Sequence, residues 1–195
     1  FKRTPAELSG LSLLVGLAVV AGIAQACNLS NAELHSAGLQ LKWPNDLLLN
    51  NHKFGGILIE GGQAKAGDPT WMIIGIGINL RNEKVIAENL GVELKVGSLA
   101  QLVNSPPDAE YLWLKLIASL EHSLAEFDRH GFQPCKETWA QWDAYQDQSV
   151  CISGAGKDPI YGIAKGVDET GALLLQQDNK TIAIHAGDVS LRIQS

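Results

Sequence analysis

Apolar residues follow three different spacings along the chain, and each spacing predicts a different kind of element. From residue 10 to 27 nearly every position is apolar or small, which predicts a helix buried on all sides. From residue 111 to 127 apolar side chains recur at helical spacing, which predicts an amphipathic helix that Gly131 ends. After residue 148, short apolar runs alternate with Gly, Asp and Asn. They predict five strands, at 149–152, 160–167, 172–176, 181–185 and 189–193.

The middle of the chain predicts a hairpin. Two apolar runs, 46–49 and 53–60, flank Asn50 and Asn51, residues that tolerate the left-handed backbone of a tight turn. The stretch "LQLKW" predicts a strand before this hairpin, and "WMIIGIGINL" at 71–80 predicts another strand after it. Two shorter helices are also predicted, at 98–104 and at 133–146.

The apolar run near the start of the chain has a competing interpretation. Lys2 and Arg3 precede it and Ala-Gln-Ala-Cys ends it, as in a secretory signal, and a helix of ~18 residues is marginal for a bilayer. Against this interpretation, Thr4 and Pro5 predict the capped start of a helix, and the many Gly and Ala residues favour tight packing. We therefore expect a buried helix in a cytoplasmic protein that does not contact a membrane.

Composition and charge narrow the possibilities further. With 46% apolar and 18% charged residues, the 195-residue chain is expected to bury a core. Near residue 148 the pattern changes from helical spacing to short apolar runs, which predicts two domains, 1–147 and 148–195. A net charge of -6 disfavours nucleic-acid binding, which needs a surplus of Lys and Arg. The three cysteines and five histidines lack metal-ligand spacing, so neither a structural zinc site nor a disulfide framework is expected.

One stretch mixes charged and polar residues in a way that packing does not require. In "LKWPNDLLLNNHKFGGILIEG", positions 41–61, Lys42, Asp46 and Lys53 surround an apolar run that leads into Gly55 and Gly56. Cations favour an anionic ligand, and glycines in a strand permit close approach of a ligand to the backbone. The stretch therefore predicts a pocket for a negatively charged substrate.

Three motifs at these spacings resemble the core of biotin–protein ligases. They are "KWPND", "KFGGILIE" and "IIGIGINL", and the tail "YGIAKGVDETGALLLQ...GDVSLRI" is similar to the C-terminal domain of that family. The resemblance extends over essentially all 195 residues. It implies an α+β fold, with a mixed sheet and flanking helices like those of class II aminoacyl-tRNA synthetases, followed by a small SH3-like β-barrel.

The resemblance also implies a two-step activity. Biotin and Mg-ATP would form biotinyl-5′-AMP and pyrophosphate, and a lysine of the biotin carrier protein of acetyl-CoA carboxylase would then attack the mixed anhydride. The family often dimerises, so a second copy of the chain is another expected partner. The alternatives are a lipoate–protein ligase and a non-catalytic binding or dimerisation module.

One family feature has no counterpart in this sequence. The family carries a loop rich in glycine and arginine, similar to "GRGRxGR", that wraps the biotin and the adenylate phosphate. No stretch of the 195 residues matches it. We therefore expect the chain to correspond to the later part of the ligase core, without the N-terminal part.

Charged residues of the stretch 41–61 receive roles from the resemblance. Lys53 matches the family lysine that is placed at the biotin carboxylate and the phosphate, although a lysine beside a hairpin turn is often simply solvated. Lys42 is a weaker candidate, for contacts with phosphate or with the carrier. Asp46 either holds Mg²⁺ or accepts the proton of the carrier lysine, and the sequence does not choose between these roles.

Uncharged residues are expected to complete the biotin and ATP sites. Asn45 can hydrogen-bond to ligand or to backbone, and Asn79 carries an amide that suits an adenine edge. Gly55 and Gly56 leave room for the flat ureido ring of biotin, and a β-bulge at the pair is compatible with that role. Trp43 is expected in the core rather than stacked on a ligand.

Overall fold

The computed structural model describes residues 1–65, 67–81, 96–154, 157–178, 180–186 and 190–193. Within these ranges the helices are α1 Leu11–Cys27, α2 Asn31–Ser36, α3 Leu99–Leu102, α4 Ala109–His130 and α5 Lys136–Trp142. The strands are β1 Leu39–Lys42, β2 Asp46–Leu49, β3 His52–Gly62, β4 Trp71–Ile78, β5 Ser149–Gly154, β6 Lys157–Val167, β7 Leu173–Gln177, β8 Lys180–Ile184 and β9 Ser190–Ile193. The α+β class that the sequence predicts is confirmed.

Four antiparallel strands form the first sheet, in the order β1-β2-β3-β4. Its central hairpin turns at Asn50 and Asn51, whose φ angles of 49° and 62° are left-handed, as predicted. The sheet is antiparallel in the described residues, where a mixed sheet was expected, and two isolated parallel bridges bring later segments of the chain alongside it. They join Leu41 to Asp143 and Lys53 to Val96.

One face of this sheet, which we call the inner face, packs into the core. Its buried side chains include Leu39, Leu41, Leu47, Leu49, Phe54 and Ile57. In β1 they alternate with Gln40 and Lys42, as the two-residue repeat of a strand requires, whereas Leu48 of β2 is buried on the opposite face. The opposite face, which we call the outer face, carries the candidate site described below.

Helix α1 covers the inner face, and the predicted buried helix is confirmed. Val15, Val19 and Ile23 are 0% exposed, and α4 packs against the same helix. The contact is close at Gly22, where a Cβ atom would lie 3.0 Å from Cα of Leu116. The stretch Pro5–Cys27 is long and apolar enough to cross a membrane, a test that a buried core helix passes equally well.

Two details of the helices differ from the prediction. Thr4 and Glu7 form the expected capping box, but it closes only the 3₁₀ turn Pro5–Leu8. Helix α1 begins after Gly10, whose left-handed φ of +81° separates it from the 3₁₀ turn. Gly10 also approaches Phe132 closely, which leaves no room for a side chain there. The polar segment after α1, for which no helix was predicted, contains α2, which begins at a second capping box that starts with Ser30.

The C-terminal residues form a five-stranded antiparallel sheet, in the order β8-β7-β6-β5-β9. Five strands were predicted, and all five are present in the described residues, with Val189 of the last prediction lying outside them. This C-terminal sheet contacts the first sheet through Trp43, whose indole Nε1–H donates to the carbonyl of Gly171 at 3.1 Å. The division of the chain into domains 1–147 and 148–195 stays a prediction.

Candidate active site

Three charged side chains meet on the outer face of the first sheet. Lys42 is paired with Asp46 across β1 and β2, so both point to the same face. Oδ2 of Asp46 lies 2.9 Å from Nζ of Lys42, and Oδ1 lies 2.6 Å from Nζ of Lys53. The structure therefore brings together the three ionic residues that the sequence singled out.

A β-bulge decides that Lys53 and Gly56 lie on the same face. In a regular strand, residues three positions apart point to opposite faces. Here Leu47 pairs with Gly55 but Leu48 pairs with Lys53, so Phe54 is an extra residue in β3. A Cβ atom on Gly56 would consequently lie 3.6 Å from Nζ of Lys53.

Glycines leave a bare backbone surface beside the lysine. Gly56 pairs with Gly77, and Leu58 pairs with Gly75, so these residues share the outer face. A Cβ atom would meet its nearest neighbour only at 3.6 Å on Gly75 and at 4.0 Å on Gly77. Past the glycines the face carries exposed apolar side chains, with Leu58 63%, Ile73 61% and Trp71 51% accessible, and the exposed Glu60 lies beside Ile73. A flat ligand with an anionic end and an apolar body fits this gradient.

The two lysines differ in how freely they can meet a ligand. The side chain of Lys53 is 59% exposed, whereas that of Lys42 is 17% exposed. Burial tends to raise the pKa of Asp46, but hydrogen bonds from Lys53 and Lys42 and their positive charges outweigh it and hold that pKa below its usual range. With Asp46 ionised, the cluster carries one surplus positive charge, and Lys53 presents it to solvent.

The geometry favours an ion-pair role for Asp46 over a magnesium site. Both carboxylate oxygens of Asp46 already accept from lysine ammonium groups. Across the ranges that the structure describes, no group of three or more His, Cys, Asp or Glu side chains is placed to hold a metal ion. Magnesium binding requires several oxygen ligands at once, so the donor set around Asp46 does not fit a resident Mg²⁺.

The side-chain amides of both candidate asparagines donate to backbone carbonyls. Asn45 Nδ2 donates to the carbonyl of Ile57 at 2.7 Å. Asn79 Nδ2 donates to the carbonyls of Gly97 at 3.1 Å and Lys53 at 3.3 Å. For Asn45, the sequence left ligand and backbone open, and the structure shows the backbone.

Two other predicted positions have structural roles. Gly55 is buried, and a Cβ atom there would lie 2.6 Å from the carbonyl oxygen of Gly77. Its missing side chain is therefore required by the approach of β3 to β4, and it does not face the site. Trp43 is 1% exposed, in agreement with the expectation that it belongs to the core.

Residues after α5 also lie near the site, and no sequence pattern predicted this. Burial raises the pKa of Tyr145, and the negative charge of Asp46 raises it further, so the phenol is within electrostatic reach of Asp46. The backbone of Ala144 donates to the carbonyl of Leu41 at 2.8 Å, which holds this segment along β1. Because a hundred residues separate it from β1, no local spacing in the sequence signals the contact.

These features define an α+β protein whose first sheet presents a cationic, glycine-lined site on an open face. Residues 2–79 match the model of the Biotin/lipoate A/B protein ligase family, and residues 148–192 match that of the Biotin protein ligase C terminal domain. The chain belongs to the biotin protein ligase family, as the motifs predicted. A curated relative supports the same assignment: the biotin–[acetyl-CoA-carboxylase] ligase of Paracoccus denitrificans is 30% identical over 180 residues, which cover 92% of this chain and 71% of the relative.

Other comparisons agree in fold and extent. The bifunctional ligase/repressor BirA of Salmonella typhimurium is 34% identical over 194 residues, 98% of this chain and 56% of BirA. The chain thus spans about half the length of that relative. The structure of a biotin protein ligase from Aquifex aeolicus in complex with biotin and ATP matches all of this chain and 77% of its own, with a TM-score of 0.77. At 24% identity, that likeness establishes the fold.

Proposed function

We propose that this chain carries the biotin-activating site of a biotin–[acetyl-CoA-carboxylase] ligase. It would use ATP to convert biotin to biotinyl-5′-AMP and transfer the biotinyl group to a lysine of the biotin carrier protein. One observation carries this proposal: the exposed ammonium of Lys53 stands over bare glycine backbone, 2.6 Å from Asp46. The ligase name of the Paracoccus relative and the biotin and ATP bound by the Aquifex protein support it.

In the first step two anionic groups must come together. The carboxylate of biotin attacks the α-phosphorus of ATP, and the bond to pyrophosphate breaks. Lys53 would neutralise the charge that both groups bring, because a preorganised cation stabilises the transition state more than the separated reactants. The exposed apolar residues Leu58 and Ile73 would hold the uncharged rings of biotin beyond the glycines. Lys42 would stabilise Asp46 and add positive charge for phosphate or carrier.

In the second step Asp46 would receive a proton. The amine of the carrier lysine attacks the carbonyl carbon of the adenylate, an amide bond forms, and AMP leaves with the electron pair of the broken bond. The nitrogen loses a proton, and a carboxylate within reach can accept it. Oδ1 of Asp46 becomes available for this role when Lys53 turns to the phosphate. In this proposal Mg²⁺ would enter the site bound to ATP, and Asp46 alone would not hold it.

Several further assignments belong to the same proposal. Residues 1–147 would form the catalytic part and residues 148–195 the SH3-like domain, and the protein would act in the cytoplasm. In the described residues, β4 pairs with β3 on one side and leaves its other edge without a partner strand in the sheet. An open strand edge can pair with a second copy of the chain, which supports a homodimer.

The test is biotin-dependent exchange of pyrophosphate into ATP, measured with the full-length product of the gene that encodes this chain. We expect Lys53→Gln to lower the exchange rate about 10²- to 10³-fold, as loss of one charge-stabilising donor does. Lys65→Gln is the matched control, because Lys65 is an exposed lysine in the loop between β3 and β4. Absence of biotin-dependent exchange in the parent protein, or an unchanged rate in Lys53→Gln, would overturn the proposal.

The name of the matched family model covers lipoate as well as biotin, so lipoate is the second candidate substrate. Exchange that depends on lipoate and not on biotin would identify a lipoate–protein ligase. Calorimetric binding of biotin without any exchange would instead identify a non-catalytic binding module. The exposed apolar side chains Leu58 and Ile73 do not distinguish the two ring systems, whereas the assay does.

A further inference from the structure

Two asparagine side chains hold the strand segment that carries Lys53. Asn79 Nδ2 donates to the carbonyl of Lys53 at 3.3 Å and to that of Gly97 at 3.1 Å. Asn45 Nδ2 donates to the carbonyl of Ile57 at 2.7 Å, and the amide of Ile57 donates to the carbonyl of Asn45 at 2.8 Å. The segment 53–57, which we call the lysine bulge, is therefore tied at both ends, with Gly56 between the ties.

Packing alone does not locate the ammonium of the lysine bulge. The register shift against β2 leaves Phe54 as an extra residue, so the regular ladder is interrupted beside Lys53. The side chain of Lys53 is long and 59% exposed, and its described polar contact is the ion pair with Asp46 at 2.6 Å. The position of Nζ consequently depends on where the backbone of the bulge is held.

We propose that Asn45 and Asn79 are positioning residues for adenylation, which place Lys53 through the backbone and do not bind ATP through their N–H groups. This inference rests on the proposed function, since Lys53 is assumed to meet the carboxylate and the phosphate. The carboxamide of Asn79 has two N–H donors, and two backbone carbonyls already accept from it. An adenine acceptor would have to displace one of these bonds.

A double-mutant cycle with Lys53 separates positioning from other roles. Asn79→Ala should lower kcat of biotin-dependent exchange about 10- to 100-fold, because a misplaced catalytic group loses most of its effect. In the Lys53→Gln background the same substitution should change kcat by less than about twofold, since the group it positions is gone. Equal factors in both backgrounds would contradict the proposal. Asn45→Ala tests the other tie in the same way.

A change of nucleotide separates positioning from recognition of the base. With 7-deaza-ATP or 1-deaza-ATP, each an analogue that lacks one ring-nitrogen acceptor of adenine, Asn79→Ala should lower kcat by the same factor as with ATP. If the factor disappears with either analogue, Asn79 reads the base and the inference is wrong. Thermal unfolding of each variant shows whether it is folded. Asn79→Asp, which keeps the size of the side chain but replaces both N–H donors by a carboxylate oxygen that cannot donate to the carbonyls, serves if Asn79→Ala does not fold.

A spectroscopic readout distinguishes failure of this inference from failure of the proposed function. The ¹³Cε resonance of Lys53, recorded without substrate, should move towards that of a free lysine in Asn79→Ala and in Asn45→Ala. The exposed Asn31, at the start of α2, provides the control Asn31→Ala, which should leave resonance and exchange unchanged. A parent protein without exchange refutes the function alone, whereas an unmoved Lys53 resonance in both variants refutes the positioning role.

Discussion

The two faces of the first sheet contain residues from the same four strands but follow different physical rules. The inner face is apolar and is covered by α1, so the volume of each side chain decides whether it fits. On the outer face, charges lie at hydrogen-bonding distance and glycines leave the backbone bare. We therefore expect a substitution on the inner face to change the stability of the fold, and a substitution on the outer face to change the activity.

Trp43, buried in the turn after β1, and Trp71, on the outer face of β4, give the largest expected contrast. Trp43→Ala should lower the free energy of unfolding by about 3–5 kcal/mol, because it opens a cavity and removes a hydrogen bond to Gly171. Trp71→Ala should change it by about 0.5 kcal/mol or less, since Trp71 is 51% exposed on the outer face. Urea unfolding of both variants measures the difference, and similar losses would contradict the division into faces.

Two carboxylates should respond to pH in opposite directions. Burial raises the pKa of Asp143 from 3.8 to about 6, and Oδ2 finds no donor among the residues that the structure describes. The folded protein thus keeps a proton that the unfolded chain releases, and stability falls as pH rises from 3.8 towards 6. The pKa of Asp46 is lowered, so its stabilising effect is present above pH 3.8 and is lost at more acidic pH.

Asp143→Asn measures this linkage. Relative to the parent, its free energy of unfolding should rise by about 3 kcal/mol between pH 4 and pH 7, the value of a shift of about two units. Asp46→Asn should show no such gain over that interval, and its cost should shrink only below pH 3.8. Chemical unfolding at several pH values checks both, and a flat difference for Asp143→Asn would show that the carboxyl is not desolvated.

Glycines on the two faces provide a smaller contrast. Gly55→Ala should cost roughly 1–3 kcal/mol, because its Cβ atom would lie 2.6 Å from the Gly77 carbonyl and β3 would have to move. Gly75→Ala should be close to neutral, since its Cβ atom would make ordinary contacts with the carbonyl oxygen and Cβ of Leu58, at 3.6 and 3.9 Å. Thermal unfolding of the two variants and the parent protein measures these changes in stability. If Gly55→Ala is as stable as the parent, the close approach of β3 and β4 is not a constraint.

Gly56→Ala should have the smallest effect on stability and a clear effect on activity. Its methyl group would make ordinary contacts with Asp46 and Lys53, at 3.5 and 3.6 Å, so unfolding should change by about 0.5 kcal/mol or less. It would nevertheless occupy the surface offered to biotin, and kcat/KM for biotin should fall about tenfold or more. Gly75→Ala is the matched control for distance from the lysine, and equal losses in both variants would place biotin elsewhere.

The sequence predicted the elements better than the contacts between them. Helix α1, the hairpin at Asn50 and Asn51, and the five C-terminal strands follow from local spacing and turn chemistry, and the structure confirms them. Helix α2 was missed although Ser30 and Glu33 form a capping box that the sequence contains. Pattern alone also placed Lys42, Asp46 and Lys53 in one stretch, but not their distances.

What the sequence determined by itself is the apolar repeat of each element, the turn residues, and a motif set that identifies the biotin protein ligase family. The tertiary structure alone decided that Lys53 and Gly56 share a face, because a bulge at Phe54 reverses the regular alternation of the strand. It also decided that the amides of Asn45 and Asn79 bind backbone carbonyls. Such outcomes depend on which distant groups the fold brings within hydrogen-bonding distance, and local spacing along a chain contains no record of them.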